Sequence, residues 1–422
     1  MGITLGVVWM YGFNFFSKNI ETKKIPPENT IKKESIEKIT YDVFSSDKVK
    51  KVYGLIQKKY YAFHKKTKKE IESDFIRALV KSLGDKHSTY FDEKISEVFQ
   101  EDLRGDFEGI GAVVSPDAKG IKITHILDTS PAEKAELKAG DIMTHVDGES
   151  IVGLTVSDAI EKIRGPKGTS IEISYLRGEK GDKKVGKTKV TRDIVKIPSV
   201  SGKMLDKKIG YIKVSTFGDK TSKDFYKEFN TLTNSGAEAM ILDFRYNGGG
   251  YLETAIDISS AFLKKNTPVV KIKENDPTKD EILYSYTQGK NNIQIPIIVL
   301  INNYSASASE IFAGALQSHK RALILGEQSY GKGSAQELYP LSDNTLVKLT
   351  TAKWYTPDDV SIDEKGISPD VFVYLTDEDY EKTYDRQLKS AEKILSHVLD
   401  LPEKGNKYKE MIEYAKEINF QE

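Results

Sequence analysis

The chain has 422 residues and carries 63 lysines and arginines against 63 aspartates and glutamates, so its formal net charge is zero. This balance gives no reason to expect nucleic acid as a partner, because nucleic-acid-binding proteins usually carry a basic excess. Cysteine is absent, which excludes disulfides, thiolate metal sites and a cysteine nucleophile. The length predicts two or three domains.

The N-terminal segment contains no charged side chain in its first 16 residues. An apolar run of this length is short for a membrane span, which needs about 20 residues. We expect residues 1–25 to form an export signal or a short membrane anchor, although a basic start and a small-x-small cleavage site are missing. A buried N-terminal helix is the alternative. The expected location is the periplasm or cell envelope.

Residues 30–92 show the apolar spacing of helices, and a helix predicted over residues 70–83 ends at Gly84. We interpret this region as a small helical domain that serves as a dimerisation arm.

Residues 98–180 change to short strands separated by Gly, Pro and Asp turns. The predicted strands cover residues 110–114, 121–126, 142–146 and 171–175. Helices are expected over residues 155–163 and 131–135, and the charged residues 178–187 indicate a hairpin or linker.

Residues 190–375 alternate strands and helices, which predicts an α/β layer around a largely parallel sheet. The predicted strands are residues 209–214, 239–244 and 297–301, and the predicted helices are residues 252–262 and 309–316. Residues 376–422 form a polar tail with a helical pattern.

The first stretch with chemical potential follows the apolar strand at 297–301 and reads Ser-Ala-Ser-Ala-Ser-Glu at residues 305–310. It places a hydroxyl at a helix N-terminus, beside backbone N–H groups that can stabilise an oxyanion. From these residues alone, the serines could equally cap the helix.

The second stretch places Lys332 between Gly331 and Gly333. It nearly spells a phosphate-binding loop, but Gly333 stands where a hydroxyl is needed and Ser334 comes one residue late. A nucleotide site and an ordinary surface lysine both remain open here. A lysine that acts as a base needs a buried site that lowers its pKa.

The third stretch reads Asp-Phe-Arg-Tyr-Asn-Gly-Gly-Gly at residues 243–250 and follows an apolar strand. Its glycine-rich turn exposes N–H groups suited to an anion. A phosphate site or a simple tight turn is equally consistent with it.

Together the three stretches resemble the tail-specific, or C-terminal processing, peptidases, a serine–lysine family with a crotonase-like core. The resemblance implies that Ser307 is the nucleophile and that Lys332, 25 positions later, is its general base. Gln336 would orient the lysine. Tyr304 and Gly248 depart from the residues common in the family, and neither departure removes a reacting group.

The same resemblance implies an oxyanion hole made by the N–H of Ala308 and an N–H from the turn at Gly249 and Gly250. A block at residues 85–90 also resembles the family, which uses it structurally. His87 in this block and His319 are the candidates for a histidine-based triad, which we disfavour. The remaining histidines show no metal-ligand pattern, and no cofactor is implied.

The stretch at residues 107–114 resembles the glycine-rich carboxylate-binding loop of a PDZ domain, and residues 130–132, 137–142 and 146–148 match the rest of that module. The resemblance implies that the loop binds a substrate's terminal carboxylate while the substrate chain adds to a sheet edge. The implied binding residues are Gly109, Ile110, Gly111 and Ala112. Arg164 would link this groove to the protease core, and an ordinary surface arginine is the alternative.

The expected protein is therefore an exported serine endopeptidase with an inserted PDZ domain that cleaves proteins near free, apolar C-termini. A homodimer is expected, and the natural substrate, the resting state and any adaptor protein stay open. The alternatives are a non-catalytic PDZ scaffold, a ligand carrier on the same core, and an acyl-CoA enzyme. The PDZ-like module counts against the last of these.

Overall fold

A computed structural model describes residues 8–9, 22–24, 44–104, 106–127, 129–154, 156–178, 184–196, 198–286, 294–376, 378–379, 384–401 and 405–418. The predicted signal or anchor at residues 1–25 lies outside this set, apart from two short strands. Within the described ranges, no helix has the length and apolar character needed to cross a membrane.

Helices and strands alternate along most of the chain. The helices are α1 (Asp47–Lys59), α2 (Lys68–Lys81), α3 (Glu93–Arg104), α4 (Pro131–Lys134), α5 (Val156–Ile163), α6 (Thr221–Asn234), α7 (Leu252–Ser260), α8 (Ala308–Ser318), α9 (Arg386–Asp400) and α10 (Lys407–Glu417). The strands are β1 (Val8–Trp9), β2 (Thr22–Lys24), β3 (Thr89–Phe91), β4 (Asp106–Gly109), β5 (Ala112–Asp117), β6 (Gly120–Ile126), β7 (Ile142–Val146), β8 (Glu149–Ser150), β9 (Ser170–Arg177), β10 (Lys184–Thr191), β11 (Asp193–Lys196), β12 (Val200–Met204), β13 (Ile209–Val214), β14 (Ala239–Asp243), β15 (Pro268–Glu274), β16 (Glu281–Tyr284), β17 (Ile297–Ile301), β18 (Leu323–Gly326), β19 (Ser334–Pro340), β20 (Leu346–Tyr355) and β21 (Val371–Phe372).

The chain divides into two compact units. The smaller unit comprises residues 98–199 and 218–220, and the larger comprises residues 1–97, 200–217 and 221–422.

The central sheet of the larger unit has the strand order β12-β13-β14-β17-β18-β21. Only the β12–β13 pair is antiparallel, so the expected largely parallel sheet is confirmed for these strands. Met240 and Leu242 belong to the core that contains α6, α7 and α8, whereas Ala239 and Ile241 belong to the core that contains α9 and α10. Burial on both faces explains the continuous apolar run of β14.

The second sheet of the larger unit contains β15, β16, β19 and β20, with β3 paired to β20. Its β15–β16, β15–β20 and β19–β20 pairs are antiparallel. The sequence pattern did not separate this sheet from the first. Its position matters because β19 begins directly after the Lys332 stretch.

The helix predicted over residues 70–83 is α2, which begins two residues earlier, at Lys68, and ends at Lys81. Thr67 and Glu70 form a reciprocal capping box, in which the Glu70 N–H donates to Thr67 Oγ1 and the Thr67 N–H donates to Glu70 Oε2. This cap starts α2 at Lys68, and Gly84 follows the helix with a φ of 68°. The part of the predicted helical domain before residue 44 lies outside the described residues.

The smaller unit contains an antiparallel sheet in the order β10-β9-β7-β6-β5 and a separate β4–β11 pair. It has its own core, whose members include Ile123, Met143 and Ile173. The strand predicted from residue 110 begins at Ala112 instead. The preceding Gly111 has a φ of 76°, a left-handed conformation that interrupts a strand.

Candidate active site

Three chain segments meet at one edge of the central sheet. Residues 244–250 follow β14, residues 302–307 follow β17, and residues 327–333 follow β18. These strands are parallel neighbours, so their carboxyl ends lie side by side. Ligand sites of α/β proteins form at such edges. The three stretches selected from the sequence are therefore brought together by the strand order.

Ser307 occupies the residue before α8 with φ 60° and ψ −114°. This conformation is uncommon for a residue with a side chain, and such strain concentrates at functional sites. Ser307 is fully buried, and its Oγ has no hydrogen-bond partner among the described residues. The hydroxyl therefore makes no hydrogen bond that caps the helix.

Glu310 ties the serine segment to the lysine segment. Its buried carboxylate accepts hydrogen bonds from the Ser307 N–H at 2.7 Å and the Lys332 N–H at 2.9 Å, both on Oε2. Its Oε1 accepts from the Ser329 hydroxyl at 2.5 Å and the Gly331 N–H at 2.7 Å. Two residues 25 positions apart in sequence thus share one oxygen atom.

The sequence predicted no role for Glu310, although Glu310 is the last residue of the Ser-Ala-Ser-Ala-Ser-Glu stretch. The Ser-x-x-Glu spacing of a capping box was the signal that could have identified it. Burial raises the pKa of Glu310, and the four donated hydrogen bonds oppose that rise.

Lys332 is 1% exposed. Burial lowers the pKa of its amine to about 7, the charge of Lys348 adds to that effect, and the charges of Glu310 and Asp85 oppose it. A large fraction of the amine is therefore neutral at neutral pH and able to accept a proton. Ser307 Oγ and Lys332 Nζ are not hydrogen bonded to each other in this structure.

The glycine turn packs directly against the serine. Gly249 has a φ of 105°, and a Cβ at this position would lie 2.8 Å from the Ser307 Cβ and 3.0 Å from the Ala308 nitrogen. The Gly249 N–H donates to Asn247 Oδ1 at 2.9 Å, so this donor is occupied. In the hydrogen bonds of the described residues, the N–H groups of Gly250 and Ala308 have no acceptor. These two donors suit an oxyanion better than Gly249 does.

Gln336 lies on β19 and is fully buried. Its Nε2 donates to Ser334 Oγ at 2.8 Å and to Thr350 Oγ1 at 3.2 Å, while its Oε1 has no partner in the described part of the chain. It makes no hydrogen bond to Lys332. An unsatisfied buried carbonyl oxygen is costly, and a nearby ammonium would satisfy it.

The block at residues 85–90 is held against β20. Asp85 accepts hydrogen bonds from the His87 N–H at 3.0 Å and the Ser88 hydroxyl at 2.5 Å, and the Thr350 N–H donates to the Ser88 Oγ at 3.0 Å. Burial and the charge of Lys332 lower the pKa of His87 to about 4. His319 instead contacts the carbonyl oxygen of Pro268 at 2.8 Å. Neither histidine is hydrogen bonded to Ser307.

The predicted carboxylate-binding residues lie in the smaller unit: Gly109 ends β4, Ile110 and Gly111 form the loop, and Ala112 begins β5. A Cβ on Gly111 would lie 2.4 Å from the Ser130 Cβ, so only glycine fits. The Ala132 N–H donates to the Ile110 carbonyl at 2.7 Å and fixes the loop. Ala112 opens β5, and β5 ends the sheet order, so it leaves an edge for an added strand.

Arg164 follows α5 and pairs with Glu101 on α3, at 3.3 Å between Nη1 and Oε2. It is half-buried and bound within the smaller unit.

Across the described residues, no group of three histidine, aspartate or glutamate side chains could hold a metal ion.

Comparison with known proteins fixes the family. The sequence model of peptidase family S41 matches residues 208–373, and that of the PDZ domain matches residues 98–175. The carboxy-terminal processing protease CtpA of Bacillus subtilis is 35% identical over 344 residues, which cover 80% of this chain and 72% of that protein. The chain belongs to the carboxy-terminal processing proteases. It is a serine-type peptidase with a PDZ domain, as predicted.

Other relatives agree. The carboxy-terminal-processing protease of Bartonella bacilliformis is 39% identical over 315 residues, or 73% of this chain and 71% of that one. A putative S41 protease from Bacteroides fragilis has a solved structure with a TM-score of 0.55 and 19% identity, covering 76% of this chain and 90% of that one. The structural likeness concerns the fold alone. The match to S41 peptidases decides against the scaffold, carrier and acyl-CoA alternatives.

Proposed function

We propose that this carboxy-terminal processing protease uses Ser307 as nucleophile and Lys332 as general base to cleave exported proteins near their C-termini. The observation that carries the proposal is the shared Glu310 carboxylate. It holds the backbones of a strained, buried serine with an unpartnered hydroxyl and of a buried lysine whose pKa is about 7.

In the proposed reaction, neutral Lys332 takes the Ser307 proton as Oγ attacks the scissile carbonyl carbon. The resulting oxyanion accepts hydrogen bonds from the N–H groups of Ala308 and Gly250. Loss of either donor should cost about 3 kcal/mol of transition-state stabilisation. Lys332 then gives its proton to the leaving amine, and the same lysine activates the water that hydrolyses the acyl-enzyme.

Ser307 Oγ and Lys332 Nζ are not hydrogen bonded to each other in this structure. Formation of the dyad therefore requires rotation of these side chains, while Glu310 holds the two backbones fixed. Gln336 Oε1 supports the proposal, since it is buried, unpartnered and suited to accept a hydrogen bond from the Lys332 ammonium. No cofactor enters this scheme.

The PDZ domain is proposed to select the substrate. N–H groups of Gly109, Ile110 and Gly111 would bind the terminal carboxylate, and the chain would pair with β5 from Ala112 onward. An apolar terminal side chain suits this type of groove.

We further propose that peptide binding releases Arg164 from Glu101. Unaltered basal and peptide-stimulated cleavage by Arg164→Ala would contradict that role.

The first experiment compares wild type, Ser307→Ala and Lys332→Ala on an unstructured protein that ends in a free Ala-Ala carboxylate or its amide. Cleavage by wild type alone, much weaker on the amide, is expected. Equal cleavage of both tails would remove the recognition role of the PDZ domain. No cleavage by wild type, even at high enzyme concentration, would reject the proposed reaction.

Export and dimer formation are also proposals. The uncharged first 16 residues support export to the periplasm or cell envelope, with membrane contact through this segment.

The exposed apolar side chains of α1 and α2 support a homodimer, because exposed apolar surface can mark a site of protein contact. The side chains that are at least 44% exposed are Val52, Leu55, Ile56, Phe75 and Leu79. Sedimentation of Leu55→Lys should show a monomer, and a persistent dimer would place the interface elsewhere.

A further inference from the structure

Two tyrosines form a stacked pair beside the active site. The rings of Tyr246 and Tyr304 have centroids 5.4 Å apart and an interplanar angle of 24°. Tyr246 is 56% exposed and Tyr304 is 60% exposed. Large aromatic faces are thus left in water in a region where most neighbours are fully buried.

The pair belongs to two of the three segments that build the site. Tyr304 lies three residues before Ser307, and Tyr246 lies three residues before Gly249. Three residues span at most about 11 Å, so the Cα atoms of Tyr304 and Tyr246 lie within that distance of Ser307 and Gly249 respectively. The N–H groups of both tyrosines donate to Asn302 Oδ1, at 3.0 and 3.2 Å. One buried side chain therefore sets the two backbones side by side.

The backbone of Tyr246 is strained. Its φ of 64° is in the left-handed region, where a bulky side chain is uncommon and glycine fits without penalty. Its ring is more than half exposed, so burial of the side chain returns little stability to the folded chain. Strain retained beside an active site indicates a role in binding.

We propose that Tyr246 and Tyr304 form a subsite that binds a large apolar side chain of the substrate, preferentially an aromatic one, close to the scissile bond. This inference rests on the proposed function. It adds a second selection step, because the PDZ domain would recognise the end of the substrate while the tyrosine pair would choose where the chain is cut. Offset or edge-on ring contacts give such a pair its preference for aromatic side chains.

Binding is tested without cleavage in full-length Ser307→Ala protein. Two fluorescent, unstructured peptides share one C-terminal sequence and differ only by an internal Phe or Ser, so the PDZ domain contributes equally to both. The Phe peptide should bind about tenfold more tightly, which corresponds to about 1.4 kcal/mol. Adding Tyr246→Gly and Tyr304→Ala should abolish this preference.

Tyr374→Ala serves as the matched control, since Tyr374 is 61% exposed and stacked on Phe372 but lies outside the three site segments. It should keep the preference. The thermal midpoint of Tyr246→Gly should equal or exceed that of its parent, because glycine relieves the strained φ. A fall of several degrees with equal weakening for both peptides would mean a structural role and overturn the inference, as would an unchanged preference.

Cleavage supplies the second readout, which separates this inference from the dyad. With Ser307 intact, mass spectrometry of the fragments of an unstructured protein should show cuts near aromatic residues, and the double tyrosine variant should lose that bias. A binding preference in a wild-type protein that cleaves nothing would keep the subsite and reject the proposed reaction. Cleavage with no aromatic bias in either protein would keep the proposed reaction and reject the subsite.

Discussion

Lys348 is the second buried lysine of the active-site region. It lies on β20, is 6% exposed, and places its Nζ 5.4 Å from the centre of the Phe91 ring. The charged groups that act on Lys332 come from three directions: Lys348 on β20, Glu310 on α8, and Asp85 before β3. His87 also lies in this region, but its pKa is about 4, so it is uncharged at neutral pH and adds no charge to the set. Lys348 is the one cation in this set that disfavours a charged Lys332.

Lys348→Met should raise the pKa of Lys332, because the variant removes a like charge and keeps the site apolar. Wild-type kcat/KM should rise with pH through a midpoint near 7, as Lys332 becomes neutral. In Lys348→Met that midpoint should move to higher pH, with the alkaline plateau retained. A pH–rate profile measures both quantities.

This profile has two controls. Lys348→Arg keeps the charge. Lys353→Met removes a lysine that is on the same strand as Lys348 but is exposed and paired with Asp363. Neither should move the midpoint. If Lys348→Met lowered kcat/KM equally at every pH, the role of Lys348 would be structural.

Lys332→Met should abolish cleavage and stabilise the fold at neutral pH. The folded pKa of about 7 lies below the ordinary lysine value, so between these values the unfolded chain binds more protons. The free energy of unfolding contributed by wild-type Lys332 therefore rises with pH across this window. At pH 7 the variant should gain on the order of 4 kcal/mol, and the gain should shrink towards pH 10. Urea unfolding at several pH values measures it, and a loss of stability would contradict the buried position.

At the scale of elements, α9 is bound to the turn that carries the glycine donors. Arg245 donates to both carboxylate oxygens of Asp385, each at 2.7 Å, and also to Asp243 and Gln387. Asp385 in turn caps α9 by accepting from the Leu388 N–H. The capping residue of α9 thus holds the start of the 243–250 turn through one bidentate ion pair.

Asp385→Ala should lower the free energy of unfolding by about 2 kcal/mol, since it removes a helix cap and one of the two carboxylates that pair with the buried Arg245. Cleavage should fall as well, because the glycine turn loses its support. Asp400→Ala, at the exposed far end of α9, is the matched control and should change neither. Normal activity in Asp385→Ala would show that Asp243 alone positions Arg245.

The sequence predicted elements best where local pattern and tertiary burial agree. The strand at 209–214 and the one at 297–301 were assigned with the observed bounds, because both are apolar runs that end in turns. The start of β5 was wrong, since the left-handed Gly111 is visible only in three dimensions. Ser307, Lys332 and Gln336 were selected through local motifs. Glu310 and Lys348 were missed because their roles depend on contacts between distant segments.

At the scale of the whole molecule, the two units have separate hydrophobic cores. Ile123 is fully buried in the PDZ core and makes no part of the others. Calorimetry should therefore resolve two unfolding transitions, and Ile123→Ala should lower one of them with a loss of about 2–4 kcal/mol. A C-terminal peptide should raise that same transition. A single transition that shifts as a whole would mean that the units unfold together.

The order of the segments along the chain decides when activity can first exist. The glycine turn, the serine and the lysine follow successive strands, so the lysine segment at 327–333 is the last of the three to be synthesised. Its docking requires β18 to pair with β17, and α9, which binds Arg245, comes later still. In the proposed mechanism, a chain that ends before Lys332 therefore carries the serine without its base. Under that mechanism, such a chain would be unable to digest its neighbours during synthesis.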